Sequence, residues 1–174
     1  MKIKSKKGIS LVELICVIAI MGFLLTLLGS LFVSLSAQYV RVMDKNHAKT
    51  ATVLLLETME PRVRLAKEAT VADARSQSAG AISWYATPQG VVEYTNNVET
   101  PLLPDAEYKG LQCNVRFAPQ GTRAVTITVE FTKKGEPVYT ESRTVLLLNT
   151  LPTKAPGAGT VTGQASGAYF VFVK

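Results

Sequence analysis

The stretch GISLVELICVIAIMGFLL, residues 8–25, contains a single acid, Glu13, the fifth residue after Gly8 in an otherwise apolar run. A carboxylate at the centre of a bilayer costs roughly 2.5–3.5 kcal/mol on insertion scales, so a charge placed there has a specific job. The apolar run extends past the quoted stretch: from Ile9 to Leu35, Glu13 is the only formal charge. Residues 14–33 alone make a helix of about 30 Å, enough to cross a hydrocarbon core. Lys2, Lys4, Lys6 and Lys7 precede the run, and a basic flank stays on the cytoplasmic side. Segment 9–35 therefore reads as a membrane helix, with residues 1–8 inside and the remainder of the chain outside.

Several kinds of N-terminal segment share this outline. A secretory signal peptide has an apolar region of about 7–15 residues; this one is longer and carries an acid near its start, although Ser34-Leu35-Ser36 offers small residues for cleavage. A plain signal anchor accommodates the length but leaves Glu13 without a purpose. Lipidation at Cys16 fails locally, because bulky Ile15 precedes it and Cys16 lies deep in the run. Lys6-Lys7-Gly8, then Ile9, then Glu13 at the fifth position after the glycine, resembles the class III leader of type IV pilins and type II secretion pseudopilins. The resemblance covers residues 1 to about 35 closely and the helix beyond more loosely.

That resemblance implies a prepilin peptidase cutting on the cytoplasmic side between Gly8 and Ile9, N-methylation of Ile9, and a leader role for Lys2, Lys4, Lys6 and Lys7. It implies that Glu13 neutralises the N-terminal amine of a neighbouring subunit during docking and so sets the register of assembly. It also implies other pilin subunits as partners, with a platform membrane protein and an assembly ATPase acting indirectly. Many major pilins begin with Phe where this chain has Ile9, and a specialised tip pseudopilin lacks the acid that this chain retains as Glu13.

Beyond the membrane segment the pattern changes. From Ser36 to Glu60 there is neither proline nor glycine, and Ala48, Ala51, Leu55 and Met59 recur at helical spacing. Pro61 is expected to kink or end this helix near Glu57–Glu60, with RVRLAKEATVADAR (62–75) continuing as a second helical segment and Ser76–Gly80 as a linker. The rest alternates with period two. ISWYA (82–86) and VVEYT (91–95) form one hairpin pattern, and LQCNVRF (111–117) and AVTITVEFT (124–132) another, followed by VYTESRTVLLLN (138–149). An antiparallel meander with one apolar face follows, for which the amphipathic helix is the natural cover. Residues 152–168, rich in Gly, Ala, Thr and Pro, read as a flexible surface loop. The terminal YFVFV (169–173) reads as an internal strand, because an exposed strand of that composition would be sticky. The expected fold class is α+β. Its parts are a leader (1–8), a membrane and assembly helix (9–35), an amphipathic continuation kinked near Pro61 (36–75) and a β-rich head (76–174).

Composition narrows the function. The formal charge is +6, but without residues 1–8 there remain 15 basic against 13 acidic side chains. The basicity belongs mostly to a short leader, so nucleic acid is not indicated as a partner of this subunit. Cys113 alternates with Leu111, Val115 and Phe117 on the apolar face of a strand, where a thiol acts as a small hydrophobe; no Cys16–Cys113 bridge is expected. With one histidine, His47, read as a solvated helix residue, there is no zinc set and no His-dependent hydrolase set. Glu57/Glu60 beside Arg62 and Arg64 read as surface charge patterning, and Trp84 and Tyr85 as core packing. No catalytic residue, metal or cofactor is expected. The resemblance implies a structural subunit of a type IV pilus or pseudopilus, single-pass in the membrane before assembly and at the cell surface afterwards. The head's late strands and modest size suit a minor subunit. The competing reading is a signal-anchored or secreted β-domain acting as a monomeric binding module.

Overall fold

In the computed structural model, residues 10–74, 80–87, 90–148, 161–163 and 167–173 are described. The chain falls into two compact units, Met1–Val42 and Met43–Lys174. Helix α1 (Leu11–Arg64) runs through 54 residues. Strands β1 (Glu68–Ala72), β2 (Ile82–Thr87), β3 (Gly90–Thr95) and β4 (Val98–Pro101) follow, then the short helix α2 (Asp105–Tyr108). Strands β5 (Gln112–Gln120), β6 (Ala124–Lys133), β7 (Glu136–Leu146), β8 (Val161–Gly163) and β9 (Tyr169–Val173) complete the order.

In the first unit, every described residue is exposed. Leu11, Ile15, Phe23, Leu28, Phe32 and Leu35 are each more than half exposed. In the second unit the same helix turns amphipathic. Ala48, Ala51, Leu55 and Met59, the residues picked out by their spacing, are buried together with Thr52, Leu56 and Val63. Thr52 is tolerated in this apolar stripe because its hydroxyl donates to the Ala48 carbonyl at 2.8 Å and is not left unsatisfied.

Pro61 does not end the helix at Glu57–Glu60. It lies inside α1, which continues to Arg64. The proline removes only the donor that would reach the Glu57 carbonyl, and it does so in the last turn, where Val63 still gains by entering the core. The Leu65 and Ala66 amides then close the end on the carbonyls of Pro61 and Val63. The helical continuation expected to residue 75 is also corrected: residues 68–72 are strand β1, with Ala69 and Val71 turned inward. Three-residue windows of Ala and Val satisfy either period. The strand wins because its backbone pairs on both sides, antiparallel with β9 and parallel with β8.

The expected hairpins form, but they divide between two sheets instead of making one meander. The order β4-β3-β2-β9-β1-β8 makes a six-stranded sheet, and β5-β6-β7 a separate three-stranded one. Helix α2 intervenes between β4 and β5. Its Tyr108 is buried, and the hydroxyl accepts the Val91 amide at 3.1 Å. Burial pushes the Tyr108 hydroxyl up to about 12. Gly90 is required at this contact, because a Cβ there would lie 2.4 Å from the Tyr108 ring.

YFVFV is an internal strand, as its composition predicts: β9 lies between β2 and β1. Phe170 and Phe172 point into the core, where Trp84 meets Phe172 edge-on at 4.6 Å and Phe117 of β5 stacks on Phe170 at 5.2 Å. One buried cluster thus joins the helix stripe to residues of both sheets. The result is an α+β architecture in which the C-terminal half of α1 packs against antiparallel sheets.

Part of the stretch expected to be a loop is ordered. Val161–Gly163 is β8, and Gly167 exchanges two hydrogen bonds of 2.9 Å with Phe117. The other residues of 152–168 lie outside the described set, apart from Ala168, as does the expected linker except Gly80. Gly167 stitches β5 to the strand beside it, and a Cβ there would lie 2.5 Å from the Ala72 carbonyl oxygen. Gly167→Ala is therefore expected to destabilise the head by about 1–3 kcal/mol through overpacking. The reading is a lower urea midpoint for the detergent-solubilised chain. Gly22→Ala, where nothing lies within 4 Å, should leave that midpoint in place.

Candidate functional site

The first turn of α1 shows why Ser10 and Glu13 stand three residues apart. Ser10 precedes the first helical residue, and its carbonyl accepts the Leu14 amide at 3.1 Å. The Glu13 carboxylate reaches back to the Ser10 amide, Oε2 accepting at 3.2 Å. This is the reciprocal half of a capping box, in which an acid at the third helical position satisfies an orphan donor of the helix start. A negative charge in the first turn also complements the positive end of the helix dipole. Glu13 is exposed, and its second oxygen takes no hydrogen bond among the described residues. Gly8, Ile9, Lys2, Lys4, Lys6 and Lys7 lie outside the described residues.

Along the apolar part of the helix, Thr26, Ser30 and Ser36 donate their hydroxyls to the carbonyls of Phe23, Leu27 and Phe32. Polar side chains that satisfy themselves on their own helix do not oppose an apolar surrounding. Among the described residues, α1 is the one helix long and apolar enough to cross a membrane.

A family model, the prokaryotic N-terminal methylation motif, matches residues 3–29. The chain carries a type IV pilin-like prepilin leader. That leader implies processing by a prepilin peptidase, and the hydrophobic helix behind it is consistent with membrane anchoring. Together with the long helix packed on antiparallel sheets, it makes this a pilin- or pseudopilin-like protein, of a kind that is typically structural and non-enzymatic. Neither a curated protein nor a solved structure matches the chain significantly.

The head places the remaining singled-out residues. Trp84 is fully buried, and its indole N–H donates to Glu93 at 2.9 Å; Arg62 pairs with the same carboxylate. This three-way contact ties the end of α1 to β2 and β3. The Trp84 reading as core packing holds, but its charged partners could not be found from sequence, because they are brought together only by strand pairing. His47 is half-buried beside Ala48, where free solvation was expected. Cys113 is buried on β5 with its thiol pushed up to about 12 by desolvation, and both it and Cys16 are free thiols.

Glu60 is part of a charge network rather than an isolated surface acid. Arg64, one turn along α1, hydrogen-bonds it, and Arg143 of β7 approaches at 3.3 Å while also reaching Glu141. The Arg64 hydrogen bond, opposed by desolvation and helped by Arg143, holds the Glu60 carboxyl below its ordinary 4.5. A carboxyl lowered in the folded state adds stability that is present above its unfolded pKa and disappears as pH falls through the folded value. Glu60→Gln should therefore cost up to about 1 kcal/mol at neutral pH. The difference from the parent protein should vanish below the carboxylate range, as read from thermal midpoints across an acid series.

Proposed function

We propose that this chain is the precursor of a structural subunit of a type IV pilus or a type II secretion-like pseudopilus. It is cleaved between Gly8 and Ile9, N-methylated on Ile9, and polymerised through its N-terminal helix. The observation that carries the reading is the fixed spacing from Gly8 to Glu13 at the start of a helix that is apolar, long enough to span a bilayer, and wholly exposed up to Met43.

Cleavage would leave a new ammonium on Ile9, about one helical turn from Glu13. In an environment from which water is excluded, neither charge is tolerable alone, since an unpaired buried charge is strongly unfavourable. The capping contact holds the Glu13 carboxylate at the N-terminal end of the helix with one oxygen unengaged. In this scheme the second oxygen accepts the amine of a neighbouring subunit as the helices pack. Pairing at that one point fixes the axial register, and Lys2, Lys4, Lys6 and Lys7 hold the cleavage site on the cytoplasmic face before processing. The partners in this scheme are the peptidase, other pilin subunits, and, indirectly, a platform protein and an ATPase.

The test is the N-terminal residue and intact mass of the protein recovered from its native cell surface. A chain that starts at Ile9, with one added methyl, is expected. A chain that starts at Met1, or just after Ser36, overturns the reading in favour of an anchored or secreted β-domain acting alone. Glu13→Leu separates assembly from processing: cleavage after Gly8 should proceed, and recovery of the subunit in sheared filaments should fall at least about tenfold.

A further inference from the structure

A strand at the edge of a sheet presents unpaired amides and carbonyls, and folded proteins blunt such edges. In the head, β4 is four residues long and ends in Pro101, and β8 is three residues long. Strand β5, at one edge of the three-stranded sheet, is tied to Gly167. The other edge of that sheet is different. Strand β7 has β6 on one side and, among the described residues, no strand on the other. It runs for 11 residues, and its irregularities lie at one end: Pro137, and the register shift opposite Phe131/Thr132. From Tyr139 to Val145, a length of about 24 Å, the edge carries no proline, glycine or lysine.

The chemistry of this edge is symmetric about Ser142. Reading outward, Glu141 and Arg143 carry opposite charges, Thr140 and Thr144 are both hydroxyls, and Tyr139 and Val145 are both apolar. The two faces keep the same symmetry. Thr140, Ser142 and Thr144 are exposed on one face. On the other, Tyr139, Glu141 and Arg143 are half-buried and Val145 is buried.

In an antiparallel ladder, directly opposed side chains share a face and lie about 4.5–5.5 Å apart. Two copies related by a two-fold axis at Ser142 bring each Glu141 opposite an Arg143, each Thr140 opposite a Thr144 and each Tyr139 opposite a Val145. A slip of one residue sets the hydroxyl face of one copy against the charged face of the other. A slip of two opposes Glu141 to Glu141 or Arg143 to Arg143. The symmetric register is thus the one that the side chains favour. Within the chain, Thr144 and Ser142 already share hydrogen bonds of 2.9 Å with Thr126 and Thr128 of β6, and the paired edge continues those hydroxyl rows into the second copy.

Charges on an edge strand also serve to keep other strands away. Charges of a single sign would repel a second copy as well. Opposite signs flanking one residue mismatch most strands and accept their own kind, which is how specificity is built by exclusion. Glu141 and Arg143 touch each other at 3.3 Å, and Arg143 reaches Glu60 at the same distance. Exchanging the first contact for the charges of a second copy keeps both groups paired.

We infer that β7 is a self-recognition edge: two copies of this chain join through Tyr139–Val145, antiparallel about Ser142, so that their three-stranded sheets become one. An isologous contact closes on itself and does not propagate. It joins heads in pairs, apart from the polymerisation proposed above, and depends neither on cleavage nor on Glu13. One strand edge is a small interface, well under the roughly 800 Å² per partner of a standard one. Pairing is therefore weak in dilute solution and effective where copies are concentrated.

The test is oxidative cross-linking of the full-length chain in detergent, in a Cys16→Ser background; Cys113 is buried and stays. Ser142→Cys alone should form a disulfide-linked dimer. Thr140→Cys and Thr144→Cys should cross-link when mixed, about tenfold better than either alone, because the symmetric register opposes 140 to 144. With Ser142→Cys present, Glu141→Arg and Arg143→Glu should each reduce the dimer about tenfold. Mixing those two variants should restore it, since each then faces its complement. Cross-linking that is equal at positions 140, 142 and 144, mixed or not, is random collision and overturns the inference. So does a mixture of the charge variants that does no better than either alone while both keep the parent's thermal midpoint. If a charge variant loses that midpoint, the comparison among the exposed positions 140, 142 and 144 decides alone. Processing between Gly8 and Ile9 is read separately by N-terminal mass, so failure of this inference and failure of the filament reading are distinguishable.

Discussion

A helix that is apolar on every side and one that is apolar on a single face require different surroundings, and α1 is both in turn. From Leu11 to Met43 it offers large side chains in all directions with nothing covering them. From Ala48 to Val63 it offers one stripe, and that stripe is fully buried. Seventeen large apolar side chains between Leu11 and Leu35 are exposed. At about 1.5–3 kcal/mol each for full burial, their transfer out of water amounts to tens of kcal/mol. The head gains a comparable amount by burying its own apolar side chains within the fold, whereas the first half of the helix has no cover among the described residues and is consistent with a membrane-anchored segment.

The head meets that demand with two sheets that share one helix stripe and one aromatic cluster. The chain end is essential to the arrangement. Strand β9 fills the gap between β2 and β1, carries Phe170 and Phe172 into the core, and so makes the last residues of the sequence a precondition for the six-stranded sheet. Gly167 then joins that region to β5 by a pair of backbone hydrogen bonds at a distance that admits no side chain. Long-range pairing of this kind is paid for late in folding, after considerable loop entropy has been lost.

What sequence reading recovers follows from the range of the interactions involved. The helix stripe, the hairpins β2–β3, β5–β6 and β6–β7, and the inward face of Cys113 depend on periodicity and adjacent turns, which are local, and the structure agrees with each. Strand β1 was not legible, because KEATVA carries no signal against helix until Tyr169–Val173, about a hundred residues away, pairs with it. The division into two sheets was hidden for the same reason. Pro61 misled in the opposite direction: its local rule is correct, but at the last turn its cost is one hydrogen bond, and burial of Val63 outweighs it. For the candidate site, the spacing from Gly8 to Glu13 and the apolar run were fully legible. The capping contact with Ser10 was present in the sequence as Ser-x-x-Glu, a signal overshadowed by the question of why an acid stood there at all.

That overlap lets the capping contact of Glu13 coexist with the assembly role proposed for it. A carboxylate that only capped its own helix could be replaced by a polar residue at small cost, typically about 1 kcal/mol, and would not justify a charge in an apolar run. A carboxylate that only awaited a partner would be an uncompensated charge in the meantime. Accepting the Ser10 amide lowers the second cost while leaving an oxygen for the first ammonium that arrives. On the proposed reading, one oxygen of Glu13 is satisfied within the chain while the other is kept for a neighbouring subunit, which a residue that only capped its own helix would not require.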